Sequence, residues 1–300
     1  RRGGSLAAAP PSVRDAVNSV LSQTLSDFEI IAIDDCSDDA TAERLEEFDD
    51  PRLTIIRHEE SRGLAKTINE GIRRAHGSYI SILNSDHLYH PERLKYCLEM
   101  CETHDFYLVG TDVDVVSDGP NAADEEKSAW LEARSDLKNQ YLASQDLTST
   151  MMAGNLFITT SNLFCRRSLF DAIGPLADHR HVEDYDFILR SLVAYPERIH
   201  WSEHRMLMYR LHEKSSAYEE GLSPSQQTLM ILVHWMAHLT NGKKSKERMR
   251  ILENHLLKLA SKIESDAARQ AQTQWQAEVA SSQKLIERGN QMTALLEKER

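Results

Sequence analysis

The chain has 300 residues, 41% of them apolar and 27% charged, with a formal net charge of −12. That is enough for one large domain plus an appendage, and no apolar run is long enough to cross a bilayer, so a soluble protein is expected. The charge is uneven: residues 243–300 hold 12 Lys/Arg and 8 Asp/Glu (+4), leaving −16 on residues 1–242, which argues against broad nucleic-acid binding.

The amino-terminal stretch Arg1 to Ala9 has an arginine pair but too short an apolar run for a secretory signal. Four cysteines without metal-ligand spacing fit a reducing compartment, and Cys97 and Cys101, four apart on one helix, read as buried apolar residues. The expected location is cytoplasmic, with peripheral attachment at the inner face of a membrane as the alternative. Residues 12–26 predict an amphipathic helix through Val13, Val17, Val20 and Leu21. A buried strand follows over Phe28 to Ile33 and stops at Asp34-Asp35, with a helix starting near Thr41 that these acids could cap. Leu53 to Arg57 is the next strand, and Ser61 to Ile72 a loop and helix that stops at Gly77. Tyr79 to Leu83 then reads as a central strand, ending in a polar turn with Ser85 and Asp86 before a helix behind Pro91. Ligands of open α/β sheets lie beyond the carboxyl ends of the strands, which is where Asp34, Asp35 and Asp86 fall.

Phe106 to Val116 supplies a further strand, and residues 117–150 read as a polar surface loop. After a strand and a short helix from Thr160, Glu183-Asp184 stand at the start of a helix whose inward face carries Tyr185, Phe187, Ile188 and Leu192. A strand over Arg205 to His212 ends the body. From Pro224 the composition turns helical, and Leu252, Leu256, Leu259 and Ile263 give a short coiled-coil rhythm. The expected organisation is a domain over residues 1–222 and a helical region over 223–300 serving self-association or an adjoining domain.

Four phrases carry a resemblance: SVLSQTLSDFEIIAIDDCSDDAT, the Ser61–Ile72 segment, YISILNSDHLYHPERL, and TTSNLFCRRSLFDAIGPLADHRHVEDYDFILRSL. Together they resemble family 2 glycosyltransferases over most of the first 215 residues. The resemblance implies an α/β, GT-A-like open and mostly parallel sheet flanked by helices, with a C-terminal helical appendage. It also implies metal-dependent, inverting transfer of a sugar from a nucleotide sugar, a UDP-sugar first, to a hydroxyl of a glycan or glycoconjugate acceptor during polysaccharide or glycoconjugate synthesis. By position, Asp35 would read the donor base with Asp34 beside it, and Arg62 and Lys66 would touch the nucleotide. Asp86 would hold Mn²⁺ or Mg²⁺, Ser85 would contact sugar or ribose, and His212 would reach the metal or diphosphate. Asp184 would be the general base, paired with Glu183. Two departures stand out: Asn84 and Ser85 replace acids usual in the family, and Gly3 to Pro11 contains neither the family's first strand nor its aromatic turn, so that strand is expected to be missing or diverged. A catalytically inactive binding or scaffold module is the alternative reading. A nucleotidyltransferase is a further one, although it needs a Gly-rich basic loop after its first strand and Gly3-Gly4 have no strand before them.

Overall fold

Ser12 opens the first helix, α1 (Val13–Leu21), where the Asp15 carboxylate accepts both its backbone N–H and its hydroxyl. The computed structural model describes residues 12–117, 124–179, 181–211, 224–239 and 246–269, together with 272 and 276. The expected loss or divergence of the first strand concerns residues 1–11, which lie outside the described residues, as does His212. β1 (Ile30–Asp34) leads through α2 (Thr41–Glu46) to β2 (Leu53–Arg57), and the two strands pair in parallel with Asp34 opposite Arg57. α3 (Leu64–Arg74) returns the chain to β3 (Tyr79–Ser81); after a turn come β4 (Leu88–Tyr89), α4 (Arg93–His104) and β5 (Leu108–Ser117).

The segment expected to be a surface loop is helical instead, as α5 (Asp124–Ser144) and α6 (Leu147–Ala153). Its polarity misleads because two of its charges are engaged: Arg134 and Lys138 both bind Asp112 of β5, which is 1% exposed, with Lys138 Nζ at 2.6 Å. Leu137 and Tyr141 supply the apolar part of the same inward side. β6 (Phe164–Arg166), α7 (Arg167–Ile173), α8 (Glu183–Ala194), β7 (Ile199–Leu211) and α9 (Pro224–Leu239) complete the described order before the helical residues 246–269.

β3, β6, β5, β7 and β4 form one sheet in that spatial order. The α/β class stands, but this sheet is mixed where a mostly parallel one was expected. Only β5 and β7 run parallel within it, because β6 turns back between β3 and β5 and β4 meets β7 head to tail. Among the described residues no ladder joins it to the β1–β2 pair. Successive residues of β5 serve two cores, as strand alternation requires. Leu108 lies with Met151, Phe157, Phe187 and Trp201, and Val109 with Leu94, Cys97, Cys101 and Leu207. Gly110, next along, has no room for a side chain, since a Cβ there would stand 2.3 Å from the Phe157 ring.

The C-terminal stripe is used inside the chain. Leu252 is 1% exposed in the larger core beside Ile231 and Leu232 of α9, and Leu256 and Leu259 pack against that core. Truncating Leu252 to alanine should therefore cost about 2–5 kcal/mol. Urea denaturation of the full chain reads this directly, and a loss below about 0.5 kcal/mol, the range of an exposed position, would mean that the helix is not docked in solution.

Candidate active site

Parallel pairing of β1 with β2 sets Asp35, the first residue past β1, beside His58, the first past β2. The His58 ring, 3% exposed, lies between two acids, with Nδ1 2.6 Å from Asp35 Oδ1 and Nε2 3.1 Å from Glu70 Oε2. The Asp35 carboxylate also accepts the backbone N–H groups of Arg62 and Gly63, each at 2.9 Å, and the Ser61 hydroxyl at 2.9 Å. Burial opposes its charge, but the hydrogen bonds from His58, the Arg62 and Gly63 amides and Ser61 hold its pKa well below the usual carboxylate range. Asp35 thus knits the turn before α3 to the end of β1. Gly63 sits there at φ +86°, a conformation that favours glycine. Asp34 is 2% exposed and faces inward, accepting the Ser37 N–H at 3.0 Å with Arg57 Nε 3.5 Å away. Arg62 and Arg74 both reach Glu70, and the Arg62 side chain is half exposed.

The start of α3 meets the loop before α8. Asn69 donates its amide to the Leu176 carbonyl at 2.8 Å and accepts the Leu176 N–H at 3.0 Å, so both polar groups of that peptide position are held. Lys66 Nζ lies 2.9 Å from Asp178 in the same loop. Next in the chain, Glu183 and Asp184 begin α8 with 3% and 6% exposure. Burial pushes Glu183 up to about 7, with the charges of Asp184 and Asp178 adding to it. Burial likewise pushes Asp184 up to about 6, against hydrogen bonds from the Tyr185 N–H at 2.7 Å and the Asn155 amide at 3.2 Å. Asp186, the third acid of this helix start, is engaged elsewhere: it binds Arg190 at 2.8 Å and the Trp235 indole N–H at 3.1 Å.

Asp86 follows β3 with its side chain 24% exposed, and His87 Nε2 stands 3.8 Å from its Oδ1. His87 Nδ1 lies 2.8 Å from the Ser161 hydroxyl, which also accepts the Asn84 N–H at 2.9 Å. Ser85 is exposed. Beneath this turn Arg93, 0% exposed, is held by the Thr111 hydroxyl and by Asn162 Oδ1 at 3.1 Å. Asn162 also accepts the Thr111 N–H and donates to the carbonyls of Thr111 and Phe157, so its amide is fully used.

Tyr209 of β7 connects the turn after β3 with α5. Its ring centroid is 4.9 Å from that of His87 and 5.9 Å from that of Trp130 on α5. Its hydroxyl is pushed up to about 12, first by burial and then by the negative charges of Asp184 and Asp86, so both carboxylates lie within electrostatic reach of one group. The structure therefore brings Asp35 to Arg62, links Lys66 to the loop before Glu183, and sets Asp86 and Asp184 within electrostatic reach of Tyr209. Sequence reasoning passed over His58, Asn155, Trp130 and Tyr209. For His58 a signal existed: it directly follows a strand that pairs with β1, as Asp35 directly follows β1.

For a divalent cation the chain offers a partial set. Among the described residues no three His, Cys, Asp or Glu side chains cluster as a complete site. One part-exposed carboxylate at Asp86 fits the habit of Mg²⁺ and similar ions, which bind through one or two carboxylates and take their remaining ligands from water and substrate phosphates.

Asp35 and Asp86 lie just past the carboxyl ends of β1 and β3, the side on which open α/β sheets bind their ligands. The glycosyl transferase family 2 model matches residues 8–174, and the chain belongs to that family. It is 34% identical over 102 residues to the succinoglycan biosynthesis protein ExoO of Rhizobium meliloti, covering 34% of this chain and 29% of ExoO, so it spans under a third of that relative's length. Its fold is that of S. aureus TarS, solved in complex with UDP (TM-score 0.56, 18% identity, covering 82% of this chain and 67% of that one) and in another crystal with UDP-GlcNAc. The mannosyltransferase PcManGT from Pyrobaculum calidifontis, in complex with GDP-Man and Mn²⁺, is similar in fold at TM-score 0.52 and 14% identity, covering 85% of this chain and 71% of that one. These likenesses make the architecture GT-A-like. No helix among the described residues is long and apolar enough to cross a membrane.

Proposed function

We propose that the chain is a glycosyltransferase that moves a sugar from a nucleotide sugar, a UDP-sugar first, to a hydroxyl of a glycan acceptor with inversion, in the assembly of a polysaccharide or glycoconjugate. The observation that carries this is the buried Asp184 at the start of α8, within electrostatic reach of the same Tyr209 as Asp86 and with its pKa raised into the range where a base works near neutrality. Asp184 would take the proton of the acceptor hydroxyl as it attacks the anomeric carbon, with Glu183 beside it. The turn organised by Asp35 presents Arg62 to the nucleotide end, Lys66 stands one helical turn further on, and Ser85 is open to sugar or ribose. Asp86 would hold Mn²⁺ or Mg²⁺, and the ion, when bound, neutralises charge growing on the leaving diphosphate. UDP in the TarS crystal and Mn²⁺ in the PcManGT crystal support a nucleotide donor and a metal. ExoO's role in succinoglycan biosynthesis supports a polysaccharide product. Four free cysteines favour a reducing, cytoplasmic compartment. The helical region expected over residues 223–300 packs on this body through Ile231, Leu232 and Leu252 and would serve association or an adjoining domain with the rest of its surface.

Titration calorimetry of UDP tests the donor site. Binding to the wild type is expected to strengthen in Mn²⁺, and Asp86→Ala is expected to lose that gain while binding metal-free UDP as before. If the variant keeps the full Mn²⁺ gain, Asp86 does not hold the metal. Absence of UDP binding under every condition would remove the UDP-sugar reading. A wild type that binds UDP-sugars but neither transfers nor hydrolyses them would mark the binding-module alternative instead.

A further inference from the structure

One aromatic wall of the cleft has no part in the proposed donor chemistry. Trp130 of α5 lies nearly parallel to Tyr209, with 17° between the ring planes, and Tyr209 in turn lies against His87 beside Asp86. Trp130 itself is only part-buried, so some of the indole still faces solvent. Its helix is fastened at this spot: Arg134 and Lys138, four and eight residues on and hence on the same side of α5, grip the buried Asp112 of β5. Arg205 adds to the clamp, with its guanidinium 3.3 Å from Asp114 and 3.8 Å from Asp112. Two ion pairs to a 1% exposed carboxylate hold one face of a helix in place. The indole is thereby fixed beside Tyr209, whose ring also lies against His87, the neighbour of Asp86.

We infer that Trp130, backed by Tyr209, is the platform on which the acceptor sugar stacks, its flat C–H face on the indole and its hydroxyl edge turned toward Asp184. This rests on the transferase reading of the same cleft. Three observations carry it. The donor's nucleotide end is assigned to the Asp35–Arg62 turn, a separate part of the site built on β1, β2 and α3, which leaves the wall by Asp184 and Tyr209 to the acceptor. A pyranose has one apolar face rimmed by hydroxyls, and aromatic rings with an apolar body and a polar surround suit such a ligand. Arg134 and Lys138, the cations that follow Trp130 on its helix, are engaged by Asp112, while Asp86 stands next to the His87 ring that lies against Tyr209, so this side of the wall suits a neutral sugar better than an anionic one.

The test is saturation-transfer NMR on the full chain with UDP and the diamagnetic Mg²⁺ present. The probes are methyl β-D-glucopyranoside, methyl β-D-galactopyranoside and methyl N-acetyl-β-D-glucosaminide. In the wild type at least one glycoside should receive saturation, strongest on the protons of one ring face. Trp130→Ala should weaken that glycoside about two- to tenfold, and Trp130→Phe, which keeps a ring, should restore most of it. UDP saturation should be equal in all three proteins, which also establishes that each is folded. Unchanged glycoside signal in Trp130→Ala, equal loss in both variants, or no glycoside signal while UDP binds would overturn the platform. If UDP itself receives no saturation in the wild type, the UDP-sugar reading fails first and the platform falls with it.

Discussion

Asp184→Asn is expected to lower sugar transfer about a hundred- to ten-thousand-fold while leaving UDP affinity nearly unchanged, because it removes a base and little else. Asparagine can still accept the Tyr185 N–H that Asp184 accepts at 2.7 Å, so the start of α8 should persist. Glu183→Gln is the control: if that variant is dead and Asp184→Asn alive, the base is the other member of the pair. The pH profile sharpens the test. Burial raises Asp184 to about 6 and Glu183 to about 7, so the wild-type rate should climb across roughly pH 5 to 8 as the adjacent pair loses its protons. Conformational stability should move the other way. Both folded values lie above the ordinary range near 4, so the protonated pair favours the native state at low pH. That contribution declines as pH rises from about 4 through 7. A thermal-denaturation series on wild type and the double variant Glu183→Gln/Asp184→Asn should show this slope in the first and its loss in the second.

The second large effect is on folding. Asn162→Ala should destabilise the chain by about 3–5 kcal/mol, because it strips a fully buried guanidinium of one of its two hydrogen-bonding side chains and leaves the Thr111 and Phe157 carbonyls short of a donor. Urea unfolding followed by circular dichroism measures it. Asn162→Asp is the informative companion: it gives Arg93 a counter-charge but still loses both donated bonds, so it should fall between wild type and alanine. An alanine variant within 1 kcal/mol of wild type would mean that Arg93 finds water or another partner in solution.

Much of the site was legible because its acids sit at strand and helix ends, positions that apolar periodicity marks. Asp35, Asp86 and Asp184 each follow or open a dense apolar segment, and each lies where the pattern put it. Their partners were not legible. Nothing in the order of residues says that Asp35 is consumed by the Ser61–Gly63 turn and His58, since that depends on the parallel register of β1 and β2. Trp130 was hidden for another reason: the helix carrying it is polar, and the inward place of two of its charges, Arg134 and Lys138, depends on Asp112, which precedes α5 in the chain and is buried in β5. The mixed sheet was missed because strand periodicity gives no direction, and β6 enters between β3 and β5 from a turn too short to betray its sense.

The close approach at Gly110 limits how this lineage can drift. A single change from glycine to any larger residue would drive a new carbon to 2.3 Å from the Phe157 ring, in a core where neighbours cannot withdraw. The reverse order is open: a smaller residue at position 157 first leaves a void, costly but survivable in a sufficiently stable background, and only then can position 110 accept a side chain. Related chains should accordingly change these two positions together or keep both, so the pair records historical order as well as geometry.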